Sequence, residues 1–194
     1  MKTLRILLSL LFLGAFLNVK AQETYAIVED AGYLVLKGTS NTSNWMLKSS
    51  QLTGDAQLRM EKNKLAHLSR VIVNIDANTI ENTENKRMTR KAHQVLLAGD
   101  NPVVTFFAYG YSRINDGPME MHGNLFMAGR NVDLEFKFTA NTQDEVVWIV
   151  ATADTKFSAF GLEPPTDFGG AVQCNDEIQI QVQIPLMKPS DSKK

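Results

Sequence analysis

The residues of this chain that could do chemistry are three histidines, one cysteine and scattered carboxylates, and none of them stands in a catalytic spacing. His67, His93 and His122 fall on different segments without an H-x-H or H-E-x-x-H pattern, so a metal site would need three separate elements to converge. The default for each is a structural or solvent-exposed histidine. His122, just before Gly123, is the one that could meet a polar head group. Cys174 lies near glycine and aspartate without a histidine partner, and a thiol lacking a base is not activated as a nucleophile. A single cysteine closes no intramolecular disulfide and builds no thiolate zinc cluster, so it reads as a free thiol. Arg130 and Asn131 could greet a phosphate, but Gly129-Arg130-Asn131 is ordinary hairpin chemistry. Paired carboxylates, G-x-S-x-G, a phosphate loop and a dinucleotide fingerprint are all missing. The sequence therefore assigns no catalytic residue, no metal and no cofactor, and an enzyme is not supported.

The elements that would position any site are mostly strands. Val71, Val73, Ile75 and Ala77 alternate with Ile72, Asn74 and Asp76, the period of a half-buried strand. The same period runs through 103–109, 119–127, 132–138 and 178–184. In the last of these, Ile178, Ile180, Val182 and Ile184 alternate with Gln179, Gln181 and Gln183. Adding 33–39, 45–58 and 146–155 gives about eight strands, separated by turn signals such as Asp116-Gly117-Pro118 and Ala128-Gly129-Arg130-Asn131. Between 85 and 98 the period changes. Met88, Ala92, Val95 and Leu96 define an amphipathic helix with Gly99 as its expected C-cap, and Lys86, Arg87, Arg90 and Lys91 form a solvated opposite face. A short helical turn is expected within 154–160. Eight antiparallel strands must hide their edges in a sandwich or a closed barrel. Periodicity alone leaves that choice open, although strands apolar on both faces favour closure.

Composition narrows the class further. With 194 residues, 44% apolar and 21% charged, the chain has the balance of one globular domain. Twenty basic against 21 acidic residues supply no basic face for phosphate, which argues against a nucleic-acid partner. Lys2 and Arg5 precede an apolar run over 6–17 and then Val19-Lys20-Ala21, the pattern of a secretory leader cleaved after Ala21. The run is shorter than the ~20 residues a membrane-spanning helix needs, and no cysteine follows it to carry a lipid, so no stable membrane anchor is expected. Loss of Lys2, Arg5 and Lys20 leaves 17 basic and 21 acidic residues, a net charge of -4, on a periplasmic or secreted protein. The organisation expected is a leader over 1–21, a barrel domain over 22–188 and a disordered tail over 189–194.

Four segments, in order, resemble the YceI-like family, lipocalin-like proteins associated with polyisoprenoid binding. The first is Gly38-Thr39-Ser40-Asn41-Thr42-Ser43-Asn44-Trp45. The second is Val71-Ile72-Val73-Asn74-Ile75-Asp76-Ala77-Asn78-Thr79-Ile80, then the helix and Asn101-Pro102-Val103-Val104-Thr105-Phe106. The third is Met121-His122-Gly123-Asn124-Leu125-Phe126-Met127-Ala128-Gly129-Arg130-Asn131-Val132, and the fourth Phe160-Gly161-Leu162-Glu163-Pro164-Pro165 leading to Asp176-Glu177-Ile178. The resemblance implies an all-β, closed eight-stranded antiparallel β-barrel, lipocalin-like, with one amphipathic helix and an apolar lumen for an isoprenoid chain. The implied partner is an isoprenoid, such as a quinone or a polyprenyl lipid; a first rival is a carrier of another long-chain apolar molecule, such as a fatty acid or an amide, and a homodimer is compatible with either.

Such a lumen needs little besides apolar surface, since each buried methylene is worth about 0.8 kcal/mol. The lining candidates are Trp45, Phe106, Phe107, Tyr109, Met121, Phe126, Phe136, Phe138, Trp148 and Phe160, with His122 for a head group. Only one face of each strand points inward, so roughly half of these should be outer packing. Trp45 has two equal readings, stacking at the barrel mouth or capping a strand end. Glu163-Pro164-Pro165 is a stiff extended loop placed to rim an opening. The rival to a carrier is a structural or stress-related envelope protein whose core is filled.

Overall fold

Period-2 alternation becomes, in the computed structural model, a ring of antiparallel strands; residues 22–113 and 119–189 are described. In chain order the strands are β1 (Glu23–Ile27), β2 (Tyr33–Ser40), β3 (Asn44–Ser49), β4 (Leu52–Glu61), β5 (Lys64–Asp76), β6 (Val103–Tyr109), β7 (Ser112–Arg113), β8 (Met119–Met127), β9 (Arg130–Gln143), β10 (Val146–Lys156), β11 (Thr166–Asp167) and β12 (Val172–Met187). Helix α1 (Lys86–Val95) lies between β5 and β6. The leader, the turn at Asp116-Gly117-Pro118 and residues 190–194 fall outside the described residues.

Pairing runs β1-β4-β5-β6-β8-β9-β10-β12, and β12 returns to β1 through Ala26 with Met187 and Ile27 with Leu186. This closes an eight-stranded ring, and closure removes the sheet edges that would otherwise be sticky. Strands β1 and β2 lie end to end along β12, because β2 pairs with it from Tyr33 opposite Gln183 to Ser40 opposite Cys174. With β3 paired to β2, they lengthen the wall on one side.

Three hairpins are tight two-residue loops with both residues at positive φ: Lys62 and Asn63, Ala128 and Gly129, Asp144 and Glu145. That geometry matches the twist of the strands it joins. Arg130 and Asn131 therefore belong to β9 rather than to the turn. The stretch expected as one strand over 45–58 is broken at 50–51, where buried Ser49 bonds the Thr79 hydroxyl at 2.7 Å and accepts the Gln51 N–H. Strand β1 was not expected, and β5, β9 and β12 run beyond their alternating segments because the ladder continues through polar residues.

The Asn85 side chain caps α1 by accepting the N–H groups of Arg87 and Met88. At its other end Leu97, with φ of 51°, takes the left-handed position, and Ala98 N–H to His93 O with Leu97 N–H to Gln94 O complete a Schellman motif. The stop is therefore at Leu97, two residues before the expected Gly99. A 3-10 turn over Ser158–Phe160 ends at Gly161 in the left-handed region.

Candidate functional site

Inward side chains alternate around the ring, and they fill its two halves differently. Toward β7, Leu58, Leu68, Val71, Met121, Phe138, Val147, Ile149 and Leu186 are each no more than 3% exposed. Side chains bordering a void large enough for water would show surface, so this half is solidly packed. Toward α1 the interior opens. A narrow apolar space of about 40 Å³ lies among Leu34, Val73, Ile75, Val104, Phe106 and Phe136. It shares Leu36, Met127 and Ile180 with a wider cavity of about 280 Å³ above.

The wider cavity is walled by Leu36, Leu47, Ile178 and Ile180 and roofed by Met88, Ala92, Val95 and Leu96 of α1. The apolar stripe of the helix thus covers the lumen. Opposite it runs a strap containing Phe157, Leu162, Pro165, Thr166, Asp167 and Phe168. Strand β11 pairs with β12 through Thr166 with Gln173 and Asp167 with Val172, and the Cys174 N–H donates to Pro165 O at 3.0 Å. Asn41 ties the β2–β3 turn to this strap: its side chain donates to Ala171 O and accepts from Gln173 N–H, both at 3.0 Å.

Helix and strap meet in one ion pair. Arg87 donates to Asp167 at 2.5 Å and stacks over the exposed Phe168 ring, 4.2 Å from its centroid. The Arg87 hydrogen bond holds the Asp167 carboxyl below its ordinary value. Arg87 therefore joins helix and strap and is not merely a solvated charge, and half-buried Lys91 lines the cavity beside it. Two further polar groups line the cavity. The Cys174 thiol is pushed up by burial, and the Thr155 hydroxyl, in a residue only 9% exposed, has no hydrogen-bond partner.

Of the lumen candidates, Trp45, Phe106, Met121, Phe136 and Phe138 point inward, and Phe160 is buried in the turn packed against β9 and β10. Trp45 stands at the mouth. Its indole lies against Gly38, where a Cβ would come within 2.2 Å of the ring, its Nε1 donates to Thr39 O at 3.2 Å, and Phe157 is 6.1 Å away. Met121 and Phe138 belong to the solid half. The expectation is corrected for Phe107, Tyr109, His122, Phe126 and Trp148, which occupy outward positions on β6, β8 and β10. The pleat forces this once Phe106, Leu125 and Ile149 face in. His122 instead lies 3.5 Å from Glu135 on the outer surface, while His93 meets Ile80 O at 2.9 Å and His67 packs near Tyr111. The three histidines do not converge, and among the described residues no cluster of metal-ligating side chains occurs.

The sequence reading missed Leu36, Leu47, Phe157, Ile178, Ile180 and the apolar face of α1 as lining. The alternation of Ala151, Ala153 and Thr155 could have found Thr155, but nothing local shows that a helix roofs the lumen. An open groove of about 860 Å³ adjoins the mouth: it shares Trp45, Met88, Thr155 and Ile178 with the cavity and is bordered further out by Lys37, Thr39, Asn44, Asp154, Lys156, Glu177 and Gln179. Its rim is charged, while Trp45, Met46, Met88, Ala159 and Ile178 give it an apolar side. No helix among the described residues is long and apolar enough to cross a membrane.

A closed antiparallel barrel with an apolar, helix-roofed lumen defines the class of lipocalin-like proteins. The family model for the YceI-like domain matches residues 25–186, and the chain belongs to that family. Among solved structures, Burkholderia cenocepacia BcnA superposes with a TM-score of 0.64 at 17% identity, covering 82% of this chain and 98% of its own. A polyisoprenoid-binding domain from Saccharophagus degradans, implicated in plant cell wall breakdown, gives 0.56 at 10% identity over 85% and 98%. The Campylobacter jejuni YceI protein gives 0.53 at 20% identity over 69% and 81%. At these identities the likeness is one of fold. No curated protein matches the chain by sequence.

Proposed function

We propose that this protein sequesters or carries an isoprenoid lipid of the quinone or polyprenyl type, with the apolar tail in the lumen and the head toward the mouth. The observation that carries the reading is the cavity between α1 and the strap: its wall is largely aliphatic and aromatic, and it shares Leu36, Met127 and Ile180 with the narrower apolar space beneath. Burial of methylenes supplies the affinity, so no catalytic group is required and none is assigned. The similarity of fold to a polyisoprenoid-binding domain supports the same class of ligand. The leader over 1–21 would deliver the mature chain to the periplasm or beyond, where a lipid carrier has its use.

The test is native mass spectrometry of mature protein purified from its own envelope without detergent, followed by solvent extraction. A stoichiometric prenylated lipid is expected. Empty protein that also refuses added quinone and polyprenyl phosphate would overturn the carrier reading. The solid half of the barrel favours, as second reading, a structural envelope protein with a filled core. Recovery of a fatty acid or amide would keep the carrier and change its cargo.

A further inference from the structure

The lumen has a floor partway down. Phe106 and Phe136, on the two strands that flank β8, approach over its inner face with ring centroids 4.6 Å apart, and both border the lower end of the apolar space. Gly123 makes this possible: a Cβ there would lie 2.8 Å from the Phe106 ring and 2.5 Å from Phe107 O, so only glycine lets the ring lean across β8. Met121 pairs with Phe136 and Gly123 with Leu134 in the next rows, and beyond them Met121, Phe138 and Leu68 are packed without a water-sized void. Above the floor the two spaces are about 280 and 40 Å³, and they open toward the mouth. At ~30 Å³ for each water-sized group, they accommodate about ten carbons, or two isoprene units, and a third unit reaches the open mouth beside Trp45 and Met88. At the upper end the Thr155 hydroxyl is buried in the cavity wall without a partner, and a buried hydroxyl left unpaired is costly unless a ligand satisfies it.

Resting on the proposed function, we infer that this barrel selects a short amphiphile of two to three isoprene units, its tail stopped by Phe106 and Phe136 and its oxygen hydrogen-bonded to Thr155. A longer chain finds no further space below the floor, and its remaining units lie in the open groove at the mouth, where they are only partly removed from water. The ligand is an alcohol, carbonyl or acid derivative of a short prenyl chain rather than a bare hydrocarbon.

The experiment measures affinities of the mature protein for geraniol, farnesol, geranylgeraniol and solanesol, which have two, three, four and nine isoprene units. Affinity is expected to rise as far as farnesol and then stop, with solanesol weaker. Phe136→Ala should improve geranylgeraniol relative to farnesol about tenfold, and the milder Phe136→Leu, which keeps the core apolar, should move it in the same direction. Thr155→Val should weaken farnesol about tenfold and leave the hydrocarbon farnesene unchanged. Solanesol binding to the unaltered protein as tightly as farnesol overturns the floor while the carrier reading stands. An unchanged farnesol affinity in Thr155→Val overturns the anchor. Failure of every prenol to bind the unaltered protein overturns the carrier reading and this inference with it.

Discussion

The two halves of the barrel are built from the same strands, yet they spend their apolar residues on different tasks. In the half beyond Phe106 and Phe136, side chains such as Leu58, Leu68 and Phe138 are fully buried and exclude even water. In the other half, Leu36, Ile178 and Ile180 have no partner across the axis, so a helix and a strap close over the gap. The first half resembles an ordinary protein core and carries stability. The second leaves apolar surface unpaired, which lowers stability until a chain fills it. The same hydrophobic burial serves folding at one end and binding at the other.

Substitution at the two ends should separate these tasks. Phe138→Ala, which empties a fully buried site edge-on to Tyr111, should cost about 3–5 kcal/mol of unfolding free energy in urea. Met88→Ala, on half-buried surface over the cavity, should cost about 1 kcal/mol or less while weakening ligand binding. Equal losses of stability at both positions would erase the distinction between the halves.

Fluorescence sharpens the same contrast. The two tryptophans stand on opposite faces of the wall, Trp45 at the cavity and Trp148 outward. With Trp148→Phe, loading with a prenol should still shift the emission. With Trp45→Phe the shift should vanish, and a response from Trp148 would place the ligand outside the lumen.

The pair joining helix and strap should govern exchange more than affinity. Arg87→Ala removes a partly exposed pair with Asp167, so release of a bound chain in stopped-flow displacement should quicken up to about fivefold. No change in rate would mean that helix and strap do not gate the mouth. The pH dependence is the smallest effect. Asp167 is held below its ordinary 3.8 chiefly by the Arg87 hydrogen bond, so the contribution of the pair is fully present above that value. It is lost only as pH falls through the depressed one. Release rates should therefore be flat from neutrality down to the ordinary carboxylate value and rise only below it, and Asp167→Asn should abolish that rise.

Alternation alone was enough to read most of the wall from the sequence. The ladders of Ile178, Ile180, Val182 and Ile184 and of Val71, Val73 and Ile75 stand where their periods placed them. Strand β1 escaped because five residues with two buried positions carry little periodic signal. The hairpins at Lys62 and Asn63 and at Asp144 and Glu145 escaped because neither contains the glycine that usually marks positive φ.

The sequence by itself determined that this is an all-β chain with one amphipathic helix and the motifs of the YceI-like family, because period and motif are local properties. Tertiary structure alone decided which aromatics face the lumen. Phe106 and Phe107 are neighbours of the same type, and a period of two says only that they face opposite ways. The pairing of β6 with β8, which sets Ala108 opposite Gly123 and gives the Phe106 ring room over that glycine, turned Phe106 in and Phe107 out. The division into a solid half and an open half arises in the same way, from side chains far apart in the chain that fill, or fail to fill, the barrel interior.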